Sequence, residues 1–275
     1  MSKQKKFFIL GGLGRLGSSL SDEYAAEDVN SLTRAVYADW WREDASTVIY
    51  DYFKLFERFD VTIFVASGVM DPKSSPTDLM KVNYHLPVNV IKGVKALGFK
   101  VVTFGTVMEK LLPNGNSYIQ SKMALAEYVA RESTSVKLLH IQIHTLYGVS
   151  SPISYMFLGG VLEALREQTQ FLMTTGSQIR EYHHISDDVK AIRVLEKNEV
   201  YGIQHLSHGD PVKLVDLATW IFKDFNLSRL LVVGGLDEPK QENSEGILTR
   251  PNHLAKLHFR KTLPAVTHYL KDLLK

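Results

Sequence analysis

Short apolar runs that end in small or turn-forming residues recur along this chain, and most are separated by longer amphipathic stretches. Phe7-Phe8-Ile9-Leu10 stops at a glycine turn. Runs at Val29–Arg34, Thr47–Tyr50, Asp60–Val65, Lys100–Thr106, Lys137–Ile143 and Gly202–Leu206 read as further strands. Helices are expected from Gly17 to about Ala26, from about Leu79 to Ala96, from near Tyr118, and over Tyr155–Glu167 and Pro211–Phe225. Pro87 should kink the second of these or mark its true start, and Gly98 closes it. Strand–helix alternation of this kind predicts an α/β fold with a doubly wound parallel sheet, of Rossmann type. After Val149 the alternation loosens, which predicts a smaller, mostly α C-terminal part for substrate. The expected division is residues 1–148 plus about 185–207 for dinucleotide binding, and 149–184 with 208–275 for substrate. No long linker separates them, so the second part is expected to pack on the first and form a cleft.

Composition narrows this only a little. The 275 residues are 45% hydrophobic and 23% charged, ordinary for a soluble globular protein. A formal net charge of +2 is too mild to argue for nucleic acid or a membrane surface. The absence of cysteine excludes disulfides, thiolate metal sites and a thiol nucleophile, and fits a cytoplasmic protein. The start, basic from Met1 to Lys6 and then apolar, imitates a signal segment, but the apolar run ends at Gly11 and is too short for one.

The chemistry begins in that first turn. Gly11-Gly12-Leu13-Gly14-Arg15-Leu16-Gly17 reads both as G-x-G-x-x-G and as G-x-x-G-x-x-G, between a strand and a helix. Gly11 takes the tight turn, Gly12 and Gly14 let phosphate approach the backbone, and Gly17 lets helix and strand pack closely. Amides at the helix start then face a pyrophosphate. Where NAD-binding units place an acid on the ribose 2′-hydroxyl, this chain offers Arg34, with Arg15 as a second candidate cation. A guanidinium suits a 2′-phosphate, so NADP is favoured over NAD.

Further on, Tyr118-Ile119-Gln120-Ser121-Lys122 places a phenol and an ammonium at i and i+4 of a helix. A nearby cation favours phenolate and suits tyrosine to acid–base work. Tyr50 and Lys54 share the spacing but lack this setting. Metal is not expected: His183-His184 and His205-x-x-His208 bring no carboxylates at ligand spacing. No G-x-S-x-G elbow anchors a hydrolase triad. Trp40-Trp41 is expected to pack rather than to stack on bases.

The combination resembles the extended branch of the short-chain dehydrogenase/reductase superfamily, over nearly the whole chain. The resemblance implies that Gly11, Gly14 and Gly17 form the cofactor loop and that Asp51 contacts adenine. It also places Ala66-Ser67-Gly68 and Asn83 at the cofactor. Tyr118 and Lys122 become the catalytic pair, with Thr106 as the catalytic hydroxyl and Thr103 as the fallback register. Thr145, near Tyr147-Gly148, falls where the family contacts substrate. Arg180, before Glu181-Tyr182, and Arg250, before Pro251, match the arginines that hold a substrate diphosphate.

Family dehydratases carry Asp-Glu directly after the threonine, where this chain has Val107-Met108. Family 3,5-epimerases commonly use a cysteine, and 4-epimerases keep an acid where Arg34 stands. What the resemblance leaves is an NADPH-dependent reductase of a keto-sugar nucleotide. The alternatives are an NAD-dependent 4-epimerase and a non-catalytic NADP sensor. The family often dimerises through the helices near Asn83 and Tyr118, so a homodimer is expected by resemblance.

Overall fold

The computed structural model describes residues 3–275; Met1 and Ser2, part of the expected first domain and of the basic start, lie outside the described residues. By compactness the chain forms two units. The first runs up to Ile143 and adds Ile192–Leu206; the second is His144–Ala191 with Ser207–Lys275.

The first unit is a six-stranded parallel sheet in the order β10-β5-β4-β3-β1-β2. Its strands are β1 (Lys5–Leu10), β2 (Val29–Leu32), β3 (Asp60–Val65), β4 (Lys100–Thr106), β5 (Leu138–Ile143) and β10 (Gly202–His205). From Phe7, β1 is buried throughout, and all seven residues of β4 are buried, as central strands covered on both faces must be. Strand order reverses at β1, whose neighbours are β2 and β3. Parallel doubly wound sheets receive ligand at the carboxyl ends of the strands beside that point. The family-independent expectation of a Rossmann-type sheet is thus met.

One expected strand is a helix. Thr47–Tyr50 lies inside α3 (Ala45–Lys54). Local β-propensity in Thr47-Val48-Ile49 lost to a four-residue period: Ala45, Ile49 and Phe53 are buried on one face, while Val48 is exposed. That face packs closely on α5 (Leu86–Val94), where a Cβ on Gly93 would stand 2.7 Å from Ile49 Cβ. The expected Leu79–Ala96 helix is real but composite. It comprises α4 (Pro76–Met80), a π-helical turn over Lys81–His85, and α5 with Pro87 in its first turn. The wider turn stands where Pro87 withholds an N–H, which is the physical reason for the interruption.

The second unit carries α8 (Phe157–Glu167), α10 (Leu214–Asp224) and α11 (Thr262–Leu273) with small two-stranded sheets. These pair β6 (Thr145–Tyr147) with β9 (Tyr182–His184), β7 (Phe171–Met173) with β12 (Leu231–Val233), and β8 (Ile179–Arg180) with β11 (Val212–Lys213). Leu162, Leu217, Ile221, Phe222, Val266 and Leu270 form its core. Helix α9 (Ile185–Lys197) belongs to the second unit up to Ala191 and to the first from Ile192. Among the described residues no helix is long and apolar enough to cross a membrane.

Candidate active site

Strand β1 ends in the glycine turn, and helix α1 (Arg15–Glu23) begins with Gly14 as its N-cap and no acidic residue in its first turn. The turn is closed by Gly14 N–H donating to Gly11 O at 2.9 Å. Two of its glycines are compelled by space. Gly11 has φ +88°, and a Cβ there would stand 2.7 Å from Ser67 N. A Cβ on Gly17 would stand 2.0 Å from Gly11 O, so helix and turn meet with nothing between them.

Above this turn lies a cavity of about 660 Å³. Of the expected cofactor residues, Gly11, Gly12, Leu13, Gly14, Arg34, Ala66, Ser67 and Gly68 line it. Arg34 opens α2 (Arg34–Tyr37) just past β2, and no carboxylate pairs with it among the described residues. The lining fits a dinucleotide. A Cβ on Gly11 or Gly12 would run into Ser67 or Ser31, so both stay bare backbone on the cavity wall, and the buried Ser67 Oγ has no hydrogen-bond partner among the described residues.

Several expected residues stand elsewhere. Arg15, Leu16 and Gly17 belong to α1 and do not line the cavity. Asp51 does not line it either: it is an exposed residue of α3, because the strand that was to present it is a helix. Asn83 is fully buried and spends its amide on bracing. Its Oδ1 accepts from Val69 N–H at 2.9 Å, and its Nδ2 donates to Val69 O at 2.8 Å and to Ser121 Oγ at 3.0 Å. It thereby holds the loop after β3 rather than facing the cavity.

Both tryptophans pack, Trp40 inside the core and Trp41 against it. Trp40 is a core residue, 4% exposed, whereas Trp41 lines the cavity with Lys81 Nζ 4.9 Å from its ring centre. Tyr37, Asp78 and Lys81 also line it, and sequence reasoning missed them. Lys81 and Asp78, an i,i+3 pair at 3.2 Å, carried a helical-spacing signal but no motif.

The candidate catalytic residues come from β4 and α7 (Ser117–Glu132). Asn116 caps α7, its Oδ1 accepting from Ile119 N–H at 3.2 Å, and this fixes Tyr118 in the first turn. Tyr118 is half-buried and Lys122 is buried. Lys122 Nζ donates to Phe104 O at 2.9 Å and comes within 3.6 Å of where a Gly68 Cβ would be, on the cavity wall. Thr106 ends β4, buried, with its Oγ accepting from Met108 N–H at 3.3 Å. Thr103, the fallback, points into the sheet core and bonds His140 Nδ1 at 2.8 Å.

The electrostatics differ from the sequence expectation. Burial, with the Glu109 carboxylate adding to it, pushes the Tyr118 phenol up to about 12. Desolvation brings the Lys122 ammonium down to about 8, against an opposing pull from Glu109. The phenol is therefore held protonated rather than biased toward phenolate.

In the second unit, Thr145 starts β6, its N–H donating to Glu181 O at 3.3 Å. Arg180 is engaged by Glu242 as an ion pair and donates to Ile179 O at 2.8 Å. Arg250 donates to Leu254 O at 2.7 Å and to Leu257 O, with its guanidinium 4.5 Å from the Phe259 ring centre. Neither is a free fork, so a diphosphate would have to displace existing partners.

The histidines form a buried cluster that spacing did not reveal. His183 and His208 stack in parallel with ring centres 3.5 Å apart, and Asp188 Oδ1 lies 3.0 Å from His183 Nδ1 and 2.9 Å from His208 Nε2. These atoms, and those of His144 with Glu181 and His183, are close enough together to suggest a metal. Parallel rings at this separation aim their lone pairs in separate planes, however, which is poor geometry for one ion. Burial alone would lower His183, but Asp188 and Glu181 outweigh it and raise the imidazole to about 9. His144 is pushed down to about 3 by burial and by His183.

The sequence profile of the NAD-dependent epimerase/dehydratase family matches residues 7–205. This chain belongs to that family. No curated protein sequence matches it significantly. Among solved structures, a UDP-N-acetylglucosamine 4-epimerase from Methanobrevibacter ruminantium is 15% identical, covering 100% of this chain and 98% of its own, with a TM-score of 0.77. A dTDP-4-dehydrorhamnose reductase from Yersinia enterocolitica is 16% identical over 98% and 99%, also at 0.77. A GDP-mannoheptose C4 reductase from Campylobacter jejuni with NADP bound is 16% identical over 99% and 98%, at 0.73. At these identities the likeness is one of fold. As a member of the epimerase/dehydratase family the chain is an NAD(P)-dependent enzyme of the extended short-chain dehydrogenase/reductase type.

Proposed function

We propose that this family member is an NADPH-dependent reductase of a keto-sugar nucleotide. The observation that carries this is Arg34, a cation with no ion-pair partner among the described residues, on the cavity wall just past β2. It stands where a bound NAD would want an acid. A 2′-phosphate meeting a guanidinium marks a cofactor of reductive chemistry, and the solved relatives that carry NADP in their descriptions include reductases.

Gly11 to Gly14 and the α1 N-terminus hold the pyrophosphate, Arg34 the 2′-phosphate, and Lys122 the nicotinamide ribose. When bound, the nicotinamide supplies a hydride to the ketone carbon. Tyr118 gives its hydroxyl proton to the ketone oxygen as charge develops there, and Thr106 donates a hydrogen bond to the same oxygen. Ketone, hydride and proton then balance to an alcohol. The resemblance gives Thr145, Arg180 and Arg250 of the second unit to the substrate; Arg180 is engaged by Glu242, and Arg250 by Leu254 O and Leu257 O.

The test is absorbance at 340 nm with NADPH and a panel of keto-sugar nucleotides. NADPH should be consumed, and Tyr118→Phe should lower turnover by about 100-fold or more while leaving NADPH binding intact. NAD retained through purification, with C4 inversion and no net cofactor consumption, would make the chain a 4-epimerase instead. NADPH binding with no consumption by any nucleotide would make it a sensor.

A further inference from the structure

The cavity above the glycine turn is lined only from β1, β2, β3 and the segments that follow them; no lining residue comes from β4 or α7. A pyrophosphate over Gly11 to Gly14 divides a dinucleotide in two, and the nicotinamide half has to reach Tyr118 and Lys122 on α7. The β2 side of the turn is therefore the place left for the adenosine half. Asp51, which the resemblance gave to adenine, is not there. Two rows of side chains meet there instead. Arg34, Tyr37 and Trp41 recur at i, i+3 and i+7 along α2 and the turn after it, and all line the cavity. Asp78, Lys81 and Val82 do the same at i, i+3 and i+4 across α4 and the π-helical turn. Lys81 joins the rows: its Nζ donates to Asp78 Oδ1 at 3.2 Å and lies 4.9 Å from the Trp41 ring centre.

We propose that Tyr37, Trp41 and Asp78 form the adenine subsite of this chain, the base lying against the two rings and its exocyclic amine donating to Asp78, with Lys81 positioning Asp78 and Trp41 together. A flat aromatic base gains from an aromatic wall, and its amine needs an acceptor. Trp41 is half-buried, packing on the core with part of its surface and lining the cavity with another. Asp78 has acceptor capacity to spare. Its Oδ2 takes one bond, from Ser75 Oγ at 2.7 Å, and its Oδ1 takes the one from Lys81, whereas a carboxylate can accept about four. The Ser75 and Lys81 bonds hold the carboxyl below its ordinary range, so it accepts throughout neutral pH. The subsite goes beyond the reductase reading. Adenosine is common to NAD and NADP, so these residues serve either cofactor, and Arg34 is what separates the two.

The test needs no substrate and uses ADP and IDP as probes, titrated calorimetrically into the full chain. IDP carries an oxo group where ADP carries the amine. Asp78→Ala should weaken ADP by about 10-fold, the size of one hydrogen bond to a charged group, and leave IDP nearly unchanged. Asp78 is exposed, and the cap bond from its backbone N–H to Ser75 Oγ at 3.1 Å survives the substitution, so this variant keeps its fold. Trp41→Ala should weaken both nucleotides by roughly 10-fold. Trp41→Phe, which keeps a ring, should recover most of that affinity while losing much of the quenching that ADP causes in wild-type tryptophan fluorescence. Thermal unfolding without nucleotide is measured on each variant, to separate lost contact from lost structure. Equal losses of ADP and IDP in Asp78→Ala, no loss of ADP there, or undiminished quenching in Trp41→Phe would overturn the proposal. The choice of NADP is tested apart from it, with 2′,5′-ADP against Arg34→Ala. An unmoved affinity in that pair would sink the NADPH reading and leave the comparison of ADP with IDP standing.

Discussion

Replacing Arg34 by alanine separates the two nicotinamide cofactors. The guanidinium stands on the cavity wall with no carboxylate to release, in contrast to Arg180, which must first leave Glu242. Its whole interaction with a 2′-phosphate is therefore available to binding. Hydrogen bonds to a charged group contribute about 1.5–3 kcal/mol each. At about 1.4 kcal/mol per factor of ten, one such bond corresponds to roughly 10- to 100-fold in Kd. Isothermal titration of NADPH and NADH against wild type and Arg34→Ala measures this. NADPH should weaken by that factor and NADH by little, since NADH carries no 2′-phosphate. Lys81 and Asp78 share the wall, and Lys81 remains in the variant to supply part of the attraction, so the lower half of the range is expected. Equal losses for both cofactors, or no loss for NADPH, would refute the assignment.

Other outcomes follow from the same geometry. Gly17→Ala drives a methyl to 2.0 Å from Gly11 O, in backbone that has no room to retreat, so it should cost about 1–3 kcal/mol of stability and weaken NADPH, read by thermal unfolding with and without cofactor. His183, raised to about 9, is charged in the folded state at pH values where it is neutral when unfolded. Its contribution is therefore complete below pH about 6.5 and lost as pH rises through 9, on the order of 3 kcal/mol in all. Lys122, held down to about 8, acts in the opposite sense above that pH, so the difference between wild type and His183→Gln in urea midpoints isolates the histidine. Parallel pH profiles for the two proteins would remove His183 as the cause.

Much of the site could be read locally because its chemistry is local. The glycine turn is a contiguous run whose spacing is set by a backbone path, and the Tyr118–Lys122 pair is one turn of one helix. Asn83 was placed at the cofactor by the resemblance alone, yet its amide goes to Val69 and Ser121, which only the folded loop brings to it. Asp51 was misplaced because Thr47-Val48-Ile49 has strand-like composition, and the burial of Ala45, Ile49 and Phe53 on one helical face overrode that preference. Trp40 and Trp41 are neighbours of one composition, and only the folded structure separates the ring buried in the core from the one that packs against it and also lines the cavity.

By itself, then, the sequence determined most of the alternation of strands and helices, the glycine turn, the cation past β2 and the helical spacing of Tyr118 and Lys122. These depend on periodicity, on glycine's lack of a side chain and on contacts within one turn of chain. Tertiary structure alone decided the direction of the tyrosine's bias. Lys122 was expected to draw the phenol toward phenolate, but burial holds the phenol protonated, and Glu109, gathered under Thr106 by residues of two strands, adds to that effect while the Lys122 ammonium donates to Phe104 O. Charge acts through distance and burial, and for residues this far apart in the chain those are set only when β4, β5 and α7 come together.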